Sequence, residues 1–337
     1  MRRLGVILLI IGAVVVSLFL YNNSNHETIR MHWILLHPKI QPQARPPFVY
    51  MSSDPELKGL VYYDALTRET FLLSRGQWHL VHSRVNPDVG YVPTIAYDPM
   101  GKYLLLFGEK ARTVKGRVIQ ESQTWILSAN GWRRIRTATN PPPLNASSLG
   151  CDTVTGQCVL FGGVFANPKN FPAVHRSAET WLWNGSTWKQ IHTLHHPQAK
   201  FYASIAWDSY THQLILFGGV PSLAIDGYSN TWIWGGKSWH IVSRSRKIIP
   251  DIYPESMTYD PNIKGLILSD LNGPVYEWFW DGKSWKLLAP NFVSPPLNEY
   301  NNSQVQMQYD NADHCLVLYV MHLNKFRRSS ERTYILK

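Results

Sequence analysis

The sequence has 337 residues, a formal net charge of +10 and 13% aromatic residues, together with 22 glycines and 22 prolines. This length allows one large domain or two modest domains, and the composition suits a turn-rich all-β protein. The positive charge favours an anionic partner, such as an acidic polymer of the cell envelope, a lipid headgroup or an acidic protein. No nucleic-acid-binding module is visible, so nucleic acid is not expected as a partner.

The N-terminus contains an uncharged apolar run of 18 residues, Leu4–Tyr21, behind Met1-Arg2-Arg3. The run is just long enough to span a bilayer. A cleaved signal peptide is the alternative, but the run is longer than the usual apolar core of such a peptide and no A-x-A site follows it. We therefore predict an uncleaved anchor over residues 1–21, with its helix over 4–21, and a short tether over 22–30. The arginines before the run place the N-terminus inside, which predicts a single-pass cell-membrane protein whose folded part is extracytoplasmic.

A nine-residue phrase recurs along the rest of the chain. In TWLWNGSTW, Thr180–Trp188, an apolar strand is followed by an Asn-Gly turn signal and by a second strand that begins with Trp. The related phrases are TFLLSRGQW (Thr70–Trp78), TWILSANGW (Thr124–Trp132), TWIWGGKSW (Thr231–Trp239) and EWFWDGKSW (Glu277–Trp285). Each phrase predicts one β-hairpin.

A second phrase lies between these hairpins, with an aspartate at the end of one strand and an apolar run that begins six residues later. The pairs are Asp54/Leu60, Asp98/Leu104, Asp152/Cys158, Asp208/Leu214, Asp260/Leu266 and Asp310/Leu316. Successive aspartates are 44, 54, 56, 52 and 50 residues apart. A period near fifty residues, with one hairpin and one aspartate turn in each unit, gives four short strands per unit. Four strands per unit predict a β-propeller blade.

Three of the apolar runs end in LLLFG, VLFGG and ILFGG. Together with the TWxWxG hairpin and its following Trp, they resemble the kelch-repeat and galactose-oxidase central-domain propellers over about Met31–Lys337. Ser269-Asp270 and Tyr319-Val320 stand where two repeats should have Gly-Gly. The resemblance and the repeat count predict an all-β, six-bladed kelch-like propeller over residues 31–337 as a single domain.

The last unit reaches Lys337 before its Trp strand would begin. The missing strand has a match at the other end of the chain, MHWILLHP (Met31–Pro38). An open ring would leave unpaired strand edges, which proteins avoid. We therefore predict that this N-terminal strand completes the sixth blade.

Two cysteines replace other residue types in the third unit. Cys151 stands where four repeats have an aromatic residue, and Cys158 stands where they have Leu. If the two positions are cross-strand neighbours, a disulfide is sterically plausible, and an extracytoplasmic location favours its formation. The alternative is a pair of buried thiols. Cys315 lies outside this pattern and is expected to be a lone thiol.

The connections between the predicted strands fall into two sets. Those on one face of the ring are short and uniform, whereas those on the other face are long and irregular, and variable loops on a rigid scaffold usually carry recognition. Kelch-like relatives bind partners on the corresponding face. The residues predicted to bind are Lys110, Arg112, Lys115, Arg117, Arg176, Arg244, Arg246, Arg327 and Arg328. A solvated basic surface without a specific ligand is the alternative.

Sequence motifs for catalysis are absent, since neither G-x-S-x-G nor H-E-x-x-H occurs. The copper chemistry of galactose oxidase is not implied either, because its set of tyrosine, histidine and cysteine cannot be mapped onto this chain. We therefore expect no metal and no cofactor. The predicted function is non-catalytic binding of a protein or an anionic envelope polymer. The alternative is a carbohydrate-active enzyme, galactose-oxidase-like or glycan-processing, that uses the same face.

Overall fold

The computed structural model describes residues 33–43, 49–90, 92–165, 175–221, 230–244, 254–270, 277–287, 303–323 and 329–336. In these ranges the ordered elements are β-strands, and the ranges contain no helix long and apolar enough to cross a membrane. The anchor predicted over 4–21 and the tether over 22–30 lie outside the described residues.

Most strands belong to antiparallel sheets of four strands, here numbered I to VI. Sheet I contains β2 (Val49–Asp54), β3 (Gly59–Asp64), β4 (Thr70–Ser74) and β5 (Gln77–Leu80). Sheet II contains β6 (Thr94–Asp98), β7 (Tyr103–Val114), β8 (Arg117–Ser128) and β9 (Gly131–Ile135). Sheet III contains β11 (Ser148–Cys151), β12 (Cys158–Phe161), β15 (Thr180–Trp183) and β16 (Trp188–Ile191).

The second half of the chain continues the pattern. Sheet IV contains β17 (Lys200–Asp208), β18 (Gln213–Pro221), β19 (Asn230–Trp234) and β20 (Trp239–Arg244). Sheet V contains β21 (Pro254–Asp260), β22 (Gly265–Asp270), β23 (Glu277–Trp280) and β24 (Trp285–Leu287). Sheet VI contains β25 (Ser303–Asp310), β26 (Cys315–Leu323), β27 (Ser329–Leu336) and the N-terminal β1 (Trp33–Leu35). A small sheet of β10 (Leu144–Asn145), β13 (Val164–Phe165) and β14 (His175–Arg176) lies beside sheet III.

The sheets are arranged in a ring. Their first strands contact one another in the order β2, β6, β11, β17, β21, β25, and β25 contacts β2 again. These strands surround a central channel of about 200 Å³. The ring is closed within sheet VI, where β1 pairs with β27 from Trp33↔Leu336 to Leu35↔Tyr334. The predicted pairing of the N-terminal strand with the last unit is thus confirmed.

The recurring aspartates close the turns between the first and second strands. Asp98 Oδ1 accepts hydrogen bonds from the backbone N–H of Met100 (2.9 Å) and Gly101 (3.0 Å), and the fourth residue of the turn, Lys102, has a φ of 55°. Oδ1 of each of the other five repeat aspartates accepts a hydrogen bond from the N–H two residues later, and at Asp54, Asp152 and Asp208 it also accepts one from the N–H three residues later. Aspartate recurs there because its short carboxylate satisfies turn N–H groups that the sheets leave unpaired.

The recurring Thr and Trp join neighbouring sheets at five of the six junctions of the ring. Trp188 Nε1 donates a hydrogen bond to Thr124 Oγ1 of the preceding sheet (2.9 Å), and the Trp188 ring lies 5.7 Å from the ring of Phe107. The same three positions meet in Trp78/Thr333/Tyr319, Trp132/Thr70/Tyr63, Trp239/Thr180/Phe161 and Trp285/Thr231/Phe217. The repeated phrase therefore encodes contacts between sheets as well as a hairpin within one.

Strand register corrects one alignment made from the sequence. Tyr319 lies opposite Thr333, as Phe107 lies opposite Thr124, and Ser269 lies opposite Glu277. Tyr319 and Ser269 therefore occupy the Phe position of the FGG strand and not the first Gly position.

The two cysteines of the third unit are opposed residues on β11 and β12. Their sulfur atoms are 2.00 Å apart and form a disulfide that closes the Asp152 turn. Cys315 is a buried thiol at the start of β26.

Candidate functional site

The antiparallel order of each sheet sorts the connections onto two faces. The first-to-second and third-to-fourth turns lie on one face, which we call the tight-turn face. The second-to-third connections and the links between sheets lie on the other, the long-link face. The predicted binding residues that the structure describes belong to the long-link face, where they fall in sheet II, in the small sheet and at the end of β20.

The most prominent feature of the long-link face is an extension of sheet II, residues 110–121, which we call the ribbon. Its pairs run from Lys110↔Glu121 to Val114↔Arg117, whereas β6 pairs with β7 only as far as Phe107 and β9 pairs with β8 only from Thr124 onward. The ribbon therefore projects as two strands beyond the four-stranded sheet. Lys115 and Gly116, with φ of 50° and 72°, form the tight turn at its tip.

The tip of the ribbon carries unneutralised positive charge. Arg112, Lys115 and Arg117 are exposed, and among the described residues none of them forms a salt bridge. Glu121 at the base is the nearest acid on the ribbon. A hydrogen bond from Gln123 lowers the pKa of Glu121, with further lowering by Arg134, 3.4 Å away, and by Arg112. Gln123 and Arg134 already bind Glu121 at the base of the ribbon, and the cations at the tip are exposed to solvent.

Lys110 differs from the other predicted cations of the ribbon. Its ammonium group forms a salt bridge with Asp88, and the same carboxylate binds Arg68 at 2.7 Å. Asp88 lies in the link between sheets I and II, so this triad fastens the base of the ribbon to the neighbouring sheet. We assign Lys110 to positioning the ribbon.

A buried carboxylate supports the same base. Glu109 is 6% exposed and accepts a hydrogen bond from Asn145 Nδ2 (3.1 Å), while its Oε2 has no hydrogen-bond partner among the described residues. Burial raises the pKa of Glu109, and the Asn145 bond opposes that rise. Gly90 crosses directly above, because a Cβ at this position would lie 2.8 Å from Glu109 Oε1. The backbone of the inter-sheet link thus seals the carboxylate from solvent.

Arg176 lies on the long-link face but apart from the ribbon. It belongs to β14 of the small sheet, and its guanidinium carbon is 5.2 Å from the centre of the Phe201 ring, a cation–π arrangement. Arg244 is the last residue of β20. Arg246, Arg327 and Arg328 lie outside the described residues. The structure therefore gathers Lys110, Arg112, Lys115 and Arg117 into one element and gives Arg176 a separate place.

Sequence reasoning missed the residues that hold the ribbon, namely Arg68, Asp88, Glu109 and Asn145. Their partners are 22 and 36 residues away in the chain for Lys110–Asp88 and Asn145–Glu109. The ribbon itself had a signal, since Lys115-Gly116 stands between β-branched residues on both sides. Within the part of the chain that the structure covers, no group of three or more His, Cys, Asp or Glu side chains could hold a metal ion.

No family model and no curated protein matches the chain. Solved structures do. A protein of unknown function from Dyadobacter fermentans matches with a TM-score of 0.56 at 9% identity, covering 90% of this chain and 97% of the other. A gluconolactonase from Xanthomonas campestris matches with a TM-score of 0.53 at 13% identity, covering 97% and 98%. A protein of unknown function from Bacteroides thetaiotaomicron matches with a TM-score of 0.51 at 9% identity, covering 93% and 78%. At these identities the likeness concerns the fold alone, and it supports a β-propeller-like all-β fold.

Proposed function

We propose that the chain is a membrane-anchored, six-bladed, kelch-like propeller that acts as a non-catalytic binding module. Its partner is anionic, a protein or an envelope polymer outside the cytoplasm, and it binds on the long-link face. The observation that carries the proposal is the ribbon, a rigidly based projection whose Arg112, Lys115 and Arg117 are exposed and without salt bridges in the described structure.

The cations of the long-link face differ in whether an acid pairs with them. Lys110 and Arg68 share the single carboxylate of Asp88, and Arg134 interacts with Glu121. Arg112, Lys115 and Arg117 form no salt bridge among the described residues, although Arg112 is attracted to Glu121, so an anionic partner gains Coulombic attraction there without displacing an internal salt bridge. The contact of Lys110 with Asp88 and the burial of Glu109 hold the ribbon in place where it leaves sheet II, which lowers the entropy lost on binding.

The proposed location rests on two sequence features and one structural feature. The apolar run over 4–21 and the arginines before it favour an anchor with the propeller outside. The disulfide between Cys151 and Cys158 is of a kind that persists in oxidising compartments.

Binding of a soluble polyanion tests this proposal. The full chain, held in phosphatidylcholine nanodiscs, is titrated with dextran sulfate and with neutral dextran at increasing salt. A ribbon variant, Arg112→Gln with Lys115→Asn and Arg117→Gln, is compared with Lys58→Asn, Lys237→Gln and Lys283→Gln on the tight-turn face. Both triples remove the same charge, and both place Asn at a residue of positive φ, Lys115 or Lys58.

We expect salt-sensitive binding of dextran sulfate, weakened about tenfold in the ribbon variant and about twofold or less in the control. Equal weakening in the two variants would mean that net charge alone governs binding, and the proposed site would be wrong. The same preparations are incubated with glycan and sugar-alcohol substrates. Product formation would favour the alternative of a carbohydrate-active enzyme.

A further inference from the structure

The tip of the ribbon is apolar as well as cationic. Val114, Val118 and Ile119 are 39%, 44% and 40% exposed. The register sets Val114 opposite Arg117 and Arg112 opposite Ile119, so cations and β-branched side chains alternate diagonally on one face of the ribbon. Val118, opposite Thr113, adds an apolar side chain to the other face. Charge attraction alone gives no reason to place three such side chains within six residues of a solvent-exposed turn.

The shape of the tip restricts the kind of partner. A ribbon that projects beyond its sheet is convex, and both of its faces are reached at once only by a surface that can deform around it. Peptide segments are more commonly held along a sheet edge or in a groove than on a convex projection. A lipid interface can surround a convex tip, accept apolar side chains below the headgroups and place phosphate groups beside the cations.

We infer that the ribbon docks on an anionic lipid bilayer, with Arg112, Lys115 and Arg117 at the level of the phosphates and Val114, Val118 and Ile119 in the interface beneath them. This inference rests on the anion-binding role proposed for the long-link face, and it replaces the protein or polymer partner given there with an anionic lipid surface. Interfacial elements of this kind bind through the sum of buried apolar area and attraction to anionic lipid. Both contributions are needed, because few residues reach the surface.

The topology determines which bilayer is contacted. β27 runs from the long-link face toward the tight-turn face, and Trp33 pairs with Leu336 at its end. The chain therefore enters β1 at the tight-turn face, opposite the ribbon. When the N-terminal segment holds the protein in one bilayer, the ribbon points away from it, toward a second surface.

The test uses the full chain in phosphatidylcholine nanodiscs, mixed with vesicles of phosphatidylcholine alone or of phosphatidylcholine with phosphatidylglycerol. Binding is measured by vesicle flotation. The diagnostic variant is Val114→Thr with Val118→Thr and Ile119→Thr, which keeps β-branched side chains on both strands while removing apolar surface. Dextran sulfate binding is measured in parallel for both proteins.

We expect the native chain to bind only the vesicles that contain phosphatidylglycerol, and the Thr variant to bind them about tenfold more weakly with dextran sulfate affinity unchanged. Native binding of dextran sulfate without binding of anionic vesicles would overturn the lipid inference and leave the proposed function standing. Failure to bind either probe would overturn both. Equal vesicle binding by the two proteins would show that the apolar tip does not enter lipid.

A label locates the contact independently. An environment-sensitive dye on Thr113→Cys should be quenched by brominated phosphatidylglycerol in the added vesicles, and a dye on Ser186→Cys, exposed in a tight turn, should not. Quenching at Ser186→Cys and not at Thr113→Cys would place the opposite face on the bilayer and overturn the inference.

Discussion

Sheets II, III and IV differ from sheets V, VI and I. The first group carries Phe107, Phe161 and Phe217, each followed by Gly, and each of these rings contacts the Trp of the next sheet. In the second group, the same position holds Tyr63 and Tyr319, whose rings also contact the Trp of the next sheet, and Ser269, which has no ring. The Thr position opposite Ser269 holds Glu277. The residue at the Phe position is thus constant in sheets II to IV and varies in sheets V, VI and I, which surround the point where the ring closes.

The aspartate turns show the same division. In sheets III and IV the second carboxylate oxygen of Asp152 and of Asp208 accepts a hydrogen bond from a threonine hydroxyl, each at 2.7 Å, and in sheet II Asp98 interacts with the Tyr103 hydroxyl. Oδ2 of Asp54, Asp260 and Asp310 is buried without a hydrogen-bond partner in the described structure. Buried polar atoms of this kind cost free energy. The comparison indicates that the closure half is the less stable half, where local opening should begin.

The largest expected effect concerns closure. Ile34 is the middle residue of β1 and pairs with Ile335. Ile34→Pro removes a backbone donor and distorts a strand of only three residues, so we expect loss of the native ring and aggregation through the freed edge of β27. Size-exclusion chromatography and urea unfolding measure the result.

Ile34→Thr is the matched control, because Ile34 is 45% exposed and threonine keeps the strand geometry. We expect native elution and a urea midpoint near that of the parent. If Ile34→Pro behaved like this control, the N-terminal strand would not be needed for closure.

The next effect concerns the regular half. Thr124→Val leaves the Nε1 donor of Trp188 buried without its acceptor, and we expect a loss of about 1–3 kcal/mol in the free energy of unfolding. Trp188→Phe removes the same bond from the other side. In a double-mutant cycle the two losses should therefore be less than additive. Additive losses would show that ring packing, not the Thr–Trp bond, joins sheets II and III.

Much of this architecture was predictable from the sequence because it repeats locally. The aspartate period marked the units, and the MHWILLHP match found the closing strand. The partner of each Trp was not predictable, because the Thr that binds it belongs to the preceding unit, 59 residues away for Trp239 and 64 for Trp188. The candidate site was predicted only as a set of cations on one face. Which of them are neutralised depends on links such as the one that carries Asp88.

The disulfide should contribute a smaller effect. It closes a short hairpin loop with a sequence separation of 7, so its removal by Cys151→Ser with Cys158→Ser should lower the free energy of unfolding by about 2 kcal/mol. Non-reducing peptide mapping of protein isolated from its native source should recover the two cysteines linked. Recovery of both as free thiols would weaken the argument for an oxidising compartment.

The smallest effect compares two aspartates that are both fully buried, Asp310 at closure and Asp208 in the regular half. Burial raises the pKa of Asp310, opposed by the backbone bond from Ala312. The folded state therefore holds the Asp310 proton more tightly than the unfolded state, whose pKa is about 3.9. The stability from this group is fully present below that value and is lost as the pH rises through the raised pKa of the folded state.

Asp310→Asn keeps an oxygen to cap the turn but cannot ionise, so its stability relative to the parent should increase from pH 4 to pH 7. Asp208→Asn instead disturbs the bond from Thr211 and should cost about 1 kcal/mol at pH 7. Urea unfolding at both pH values measures the two differences. A flat difference for Asp310→Asn would show that its unpartnered oxygen does not weaken the closure half, since a destabilising buried charge must appear as a pH slope.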